Sequence, residues 1–173
     1  MLNIFAMLEL KPLSNESIPK AVIRAKHYRL LNEPWQAESI CRDILKVDPG
    51  HKLALLYLIL AITDQFGTEK SSSYSEAKDL CEQLTDEYDR YYYRGIIEER
   101  SGKATLKRAT PRVKYIAYEY YRRAMDLFEK AEKIQPKDNQ DAILRWNACV
   151  RGIQEFDLKP SRDENRVQPF LDV

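Results

Sequence analysis

Three cysteines, two histidines and the adjacent carboxylates Glu98 and Glu99 are the side chains with which this chain could do covalent, metal or acid–base chemistry. A nucleophilic cysteine needs a nearby cation or a helix N-terminus to hold it as the thiolate. Cys41 and Cys81 instead each follow an alanine by four residues and precede Ile44 or Leu84 by three, a stripe that faces a core, where a thiol behaves as a small hydrophobe. With Cys149 they form an odd, unpatterned set, which fits free thiols in a reducing compartment and makes a cytoplasmic location the expectation. Neither His27 nor His51 has a second histidine, cysteine or carboxylate at ligand spacing on its own helix, so no metal is expected. Ser101-Gly102-Lys103 lacks the preceding glycine and strand of a phosphate loop. Glu98 and Glu99, beside Arg100, could divide acid and base roles if they shared a cleft. Helical neighbours diverge by about 100°, however, so one face holds only one of them. The reading is of a protein that is not an enzyme and carries no cofactor.

Two composite features could bind rather than react. Tyr88, Tyr91, Tyr92, Tyr93, Tyr115, Tyr118, Tyr120 and Tyr121 gather most of the chain's 11 tyrosines into two stretches. Their rings either fill a core with hydroxyls at its rim, or present an aromatic, hydrogen-bonding platform to a peptide. Between Glu99 and Glu119 no acidic residue interrupts Arg100, Lys103, Lys107, Arg108, Arg112 and Lys114. That block is either a solvated loop or a contact for phosphates or an acidic partner, whose strength would fall with salt. Overall, 28 basic residues against 27 acidic ones give a net charge of +1 and no global pull toward nucleic acid or an anionic membrane. Nucleic-acid or anionic-ligand binding through residues 100–114 is therefore the alternative function, and a membrane partner is not expected.

These side chains need elements to hold them. A chain of 173 residues suits one domain with a substantial core, and 32% charged residues with only 5 glycines favour solvated helices over a glycine-punctuated β protein. The pattern Ala37-x3-Cys41-x2-Ile44-x4-Pro49 recurs from Ala77 through Cys81 and Leu84 to Asp89, and again from Ala124 through Phe128 and Ala131 to Pro136. Steps of four and three put the first three positions on one helical stripe, and the fourth marks where the helix has stopped. The apolar periodicity predicts helices near 17–31, 35–47, 51–66, 73–87, 88–101, 111–135 and 139–157. Polar loops are expected at 67–73 and 101–110, the second ending in Thr110 as an N-cap with Pro111 in the first turn. The helix after it carries the stripe Val113, Ala117, Tyr120, Ala124, Leu127, Phe128, Ala131 and Ile134. The seventh helix turns Ala142, Trp146, Cys149, Val150, Ile153 and Phe156 inward, and Arg145, Arg151 and Glu155 outward.

The spacing resembles the second helix of a tetratricopeptide repeat, with its Ala, aromatic, Ala and Pro; the copy at 124–136 has all four. Ala25-x2-Tyr28 before the first copy and Tyr91-x2-Arg94-Gly95 before the third resemble the motif of the first helix, with Arg94 where that family has Leu. Ala25 and Gly95 would let paired helices approach closely. The copies begin farther apart than the ~34 residues of that repeat, which the two loops accommodate. The resemblance implies an all-α fold, a right-handed α-α superhelix of three helical hairpins plus a C-terminal capping helix over residues 17–157. It further implies a protein-interaction scaffold that binds a peptide in a concave groove. In its register Lys26, Arg29, Tyr57, Asp64, Tyr92, Glu99, Arg100, Asn147 and Arg151 would line that groove. The set does not reproduce the Lys/Asn pattern of carboxylate-clamp members, so a chaperone-tail partner is not implied; homo-oligomers are compatible with it.

Outside these limits, residues 1–16 begin with a run too short for the ~20 residues of a bilayer span and without the basic start and cleavage site of an export signal. They are expected to pack on the first hairpin or to fray. Residues 158–173 read as an extended tail whose apolar tip, Val167 to Val173, could dock in its own domain's groove or a neighbour's.

Overall fold

The computed structural model describes residues 8–68, 73–108 and 110–161, and the apolar tip of the tail lies outside them. Among the described residues the regular structure is all helical: a 3-10 turn at Asn15–Ser17, then α1 (Ile18–Leu30), α2 (Pro34–Val47), α3 (Lys52–Asp64), α4 (Tyr74–Glu82), α5 (Glu87–Thr105), α6 (Val113–Ile134) and α7 (Asp141–Glu155). The all-α expectation holds. No described helix is long and apolar enough to cross a membrane. By contacts the chain divides into two compact units, Met1–Ala61 and Ile62–Val173.

In the first unit, α1 buries Ile18, Val22 and Ala25, and α2 buries Ala37, Cys41 and Ile44, both at steps of four and three. Pro19 and Pro34 sit in the first turns, where a missing N–H leaves nothing unpaired. Asn32, at φ 60°, stops α1 in the left-handed region, and the Glu33 N–H closes the turn onto the Tyr28 carbonyl at 2.9 Å. Ile18, Val22, Ile44 and Ala54 of α3 form a core flanked by Ile40 and Tyr57. His51, with no metal partner in the sequence, caps α3 instead: its Nδ1 accepts the Ala54 N–H at 3.2 Å.

In the second unit α5 touches α4, α6 and α7, and it runs antiparallel to α6, Gly95 meeting Phe128 and Gly102 meeting Tyr121. Ser73 and Asp86 cap α4 and α5 by accepting the Glu76 and Asp89 N–H groups. The Asp86 cap explains why α4 ends at Glu82, short of the expected 87: a new helix start needs an extended residue just there.

The third stretch departs from expectation in three ways. First, α5 continues to Thr105 where a loop was expected from 101. The Ser101 and Thr105 hydroxyls are buried and donate back to the carbonyls of Ile97 and Ser101, at 2.8 and 2.9 Å, so polar residues are satisfied within the helix. Second, Thr110 is not the N-cap of α6; Arg112 holds that position and the Thr110 carbonyl accepts the Val113 N–H, two residues later than predicted. Third, Tyr121 lies in the core at 4% exposure while Tyr120 is half-buried, so the stripe of α6 runs 117, 121, 124, 128, 131. Gly102 of α5 and Gly152 of α7 make the room: a Cβ at either would lie 2.8 or 2.7 Å from the Tyr121 ring. Leu127 is half-buried and Ile134, expected in the stripe, is exposed.

Candidate functional site

The charged residues of α5 decide what the second unit can offer a ligand. Successive helical side chains point about 100° apart, and Glu98, Glu99 and Arg100 accordingly address three different neighbours. Glu98 is 3% exposed and faces α4 and α6: Arg123 Nε donates to it at 2.9 Å and the Tyr74 hydroxyl donates to its other oxygen. Arg123 also lies over the Tyr120 ring, 4.5 Å from its centroid, and Tyr120 meets Tyr74 edge-on. Burial, then the hydrogen bond to Glu98, pushes the Tyr74 phenol above its usual range, so it remains a donor.

Glu99 faces α7, where both of its oxygens accept from Arg145 at 3.2 Å. Burial pushes the Glu99 carboxyl above its usual value in spite of that guanidinium. For Arg145 burial acts downward, but Glu99 and the Tyr92 hydroxyl outweigh it and hold the guanidinium charged. Arg100 turns toward the end of α3, pairing with Asp64 at 2.7 Å and donating to the Thr63 hydroxyl. The two carboxylates therefore share no cleft, and no acid–base couple forms between them.

Tyr92 centres an aromatic group. Its ring stacks on Tyr88 at 5.6 Å, meets Tyr93 edge-on at 5.2 Å and tilts against Phe128 at 5.9 Å. Tyr115, by contrast, is exposed. The tyrosine-rich stretches thus divide between core and surface, as their two readings allowed.

Of the residues expected to line a groove, the second unit joins Tyr92 and Glu99 through Arg145, and joins Asp64 to Arg100. Asn147 and Arg151 stand one turn apart on α7, half-buried and exposed. In the first unit Lys26 is exposed on α1, Arg29 is half-buried there, and half-buried Tyr57 packs on the α1–α2–α3 core. Sequence reasoning missed Arg145, which it turned outward: the side chain is 31% exposed and folds onto Glu99. A signal existed, because a carboxylate on a helix packed against two others needs a cation, but 46 positions separate the partners and no local spacing reveals the pair.

A cleft of about 250 Å3 lies among α4, α5 and α6, lined by Glu82, Glu87, Arg90, Tyr91, Arg94, Leu127 and Lys130. Its cations are engaged: Arg94 pairs with Glu82 at 2.7 Å, Arg90 donates to the Leu84 and Thr85 carbonyls, and Lys130 sits over the Tyr91 ring. It holds no cysteine, histidine or serine. Among the described residues no three His, Cys, Asp or Glu side chains are grouped to hold a metal.

Cys41, Cys81 and Cys149 are fully buried, and burial pushes each thiol up to about 12. At neutral pH they are therefore neutral and shielded, with little thiolate for attack. A thiol reagent added to the native protein is expected to label none of them within minutes, and all three once denaturant is added; rapid labelling of one native thiol would contradict this. Comparison of the chain with protein-family models, with curated proteins and with solved structures gives no match.

Proposed function

We propose that the protein is a divergent tetratricopeptide-like scaffold of the cytoplasm, a right-handed superhelix of helical hairpins that binds a peptide or protein segment in a concave groove. The observation that carries this reading is the adjacency of α5 and α7, joined where Glu99 and Tyr92 meet Arg145. Helices that neighbour both the next and the next but one are the unit from which such a superhelix is built. In this register α5 and α7 are both groove-lining helices. Gly95 supports the reading further, because its close approach to Phe128 joins the two motif positions by which the resemblance was drawn.

Tyr92, Glu99 and Arg100 are engaged in the fold, so they give a groove its shape and local charge, while Asn147 and Arg151 are the side chains of the second unit suited to contact a ligand. An extended segment with an acidic or carboxylate end fits Arg151, which is exposed on α7. The test is crosslinked capture from cell extract with the wild-type chain and with Asn147→Ala/Arg151→Ala. A partner that crosslinks to α7 in the wild type is expected to fall at least about tenfold in the variant, the effect of losing one strong interfacial anchor. An identical partner set in both would overturn the groove assignment.

A further inference from the structure

Much of the basic block between Glu99 and Glu119, expected as a polar loop over 101–110, is helical. Its first part is the last turn of α5 and its last part the first turn of α6, an antiparallel pair clamped by Tyr121 against Gly102. On either side of residue 109, backbone hydrogen bonds run from Lys107 to Ala104, from Arg108 to Thr105 and from Val113 to Thr110. Gly67, at φ 76°, seats the end of the preceding segment against Ala104 and the Lys107 stem. Lys103, Lys107, Arg112 and Lys114 are all exposed on this end, and Tyr115, next to Lys114 in sequence, is 41% exposed. Lys103 lies one turn from Glu99, but that carboxylate already accepts from Arg145 through both oxygens. No acidic side chain occurs from 100 to 118.

We propose that this end of the α5–α6 pair is a binding surface for single-stranded nucleic acid. Four cations carried at the ends of two helices meet phosphates without the cost of ordering their backbone, and binding releases the counterions held by the strand. The exposed Tyr115 ring decides among polyanions. An unpaired base can stack on an aromatic face, whereas a duplex keeps its bases stacked on each other. A membrane would instead require apolar side chains to enter it, and the aliphatic residues here, Leu106, Val113 and Ile116, are half-buried in the helix pair. The near-neutral net charge does not oppose this, since the field that matters is set within a Debye length of about 8–10 Å.

Fluorescence anisotropy of the full chain with a labelled oligouridylate tests the proposal. With four phosphate contacts on a single strand, affinity is expected to fall roughly 50-fold between about 50 and 200 mM salt. Reversing Lys103, Lys107, Arg112 and Lys114 to Glu should abolish binding at low salt. Tyr115→Ala should weaken it roughly tenfold with the salt slope unchanged, a split that charge alone would not give. Should the fourfold reversal disturb the circular dichroism spectrum, Lys107→Gln/Arg112→Gln serves in its place and should halve the slope. The proposal is overturned by any of four results: no binding at low salt, equal binding of a duplex, tighter binding to phosphatidylserine vesicles or to polyglutamate than to the oligonucleotide, or indifference to these substitutions. None of these outcomes bears on capture at Asn147 and Arg151, so the two proposals fail separately.

Discussion

Gly95→Ala is expected to destabilise the Ile62–Val173 unit by about 2 kcal/mol, although helix propensity alone would make the same change stabilising by roughly 1 kcal/mol. Gly95 lies in the interior of α5, where glycine is a poor residue unless something needs its missing side chain. That something is Phe128 of α6, which is 0% exposed and places Cε1, Cδ1 and Cζ 2.5, 2.8 and 2.9 Å from where a Cβ would stand. The ring cannot simply swing aside, because Tyr92 lies against it at 5.9 Å and protein interiors have little free volume to receive it. Either α5 and α6 separate or Phe128 leaves its rotamer, and each route loses packing. Urea unfolding followed by circular dichroism reads the sign directly. Phe128→Leu in the Gly95→Ala background should recover part of the loss, a coupling of about 1 kcal/mol between two residues in contact. A Gly95→Ala protein as stable as the wild type would show that the close approach carries no energetic weight.

That glycine was legible because it stands at a motif position before a helix whose own stripe was clear. The same holds for Ala25, Ala37, Ala77, Ala124 and Ala131, all 0% exposed, and for Cys41 and Cys81: local periodicity reports which face is covered. It does not report by what. Tyr120 and Tyr121 both lie close enough to the stripe of α6 to satisfy a three- or four-residue step, and the choice between them is made by Gly102 and Gly152 on two other helices. The end of α5 was hidden for a related reason. Ser101, Gly102 and Lys103 read as loop chemistry, but buried hydroxyls that donate to their own helix and a glycine pressed on Tyr121 are tertiary facts. The site divides along the same line. Residues on α5 and α7 could be set on one face by register, while the pairs Glu99–Arg145, Glu98–Arg123 and Arg100–Asp64 join helices far apart in sequence and left no trace in spacing. Both charged α5 residues expected to meet a ligand, Glu99 and Arg100, thus already have partners of opposite sign.

Arg123→Ala should cost about 2–3 kcal/mol, and more than Glu98→Gln. The asymmetry follows from burial. The Glu98 side chain is 5% exposed whereas Arg123 is 35% exposed, so a lone carboxylate would be stranded in the core while a lone guanidinium can turn to water. A fully buried pair broken from one side loses about 3–5 kcal/mol, and the exposure of Arg123 places this case below that range. Part of the loss is not ionic, since Arg123 also covers the Tyr120 ring, a contact of about 0.5–1 kcal/mol. In Glu98→Gln the Tyr74 hydroxyl keeps an oxygen acceptor and Arg123 resolvates, leaving about 1 kcal/mol as the expected change. Replacing both members, as Glu98→Met/Arg123→Met, should come within about 1 kcal/mol of the wild type, because the desolvation of two charges disappears with their attraction. Tyr74→Phe tests the remaining arm: the edge-on contact with Tyr120 survives while the carboxylate loses one donor. The burial and carboxylate that push the Tyr74 phenol upward give stability that is present below the ordinary tyrosine value of 10.0 and is lost as pH rises through the higher folded value. Alkaline unfolding should therefore be less steep in Tyr74→Phe than in the wild type. Equal destabilisation by Arg123→Ala and Glu98→Gln would mean that Glu98 reaches water, and would remove the reason for the Tyr74 donor as well.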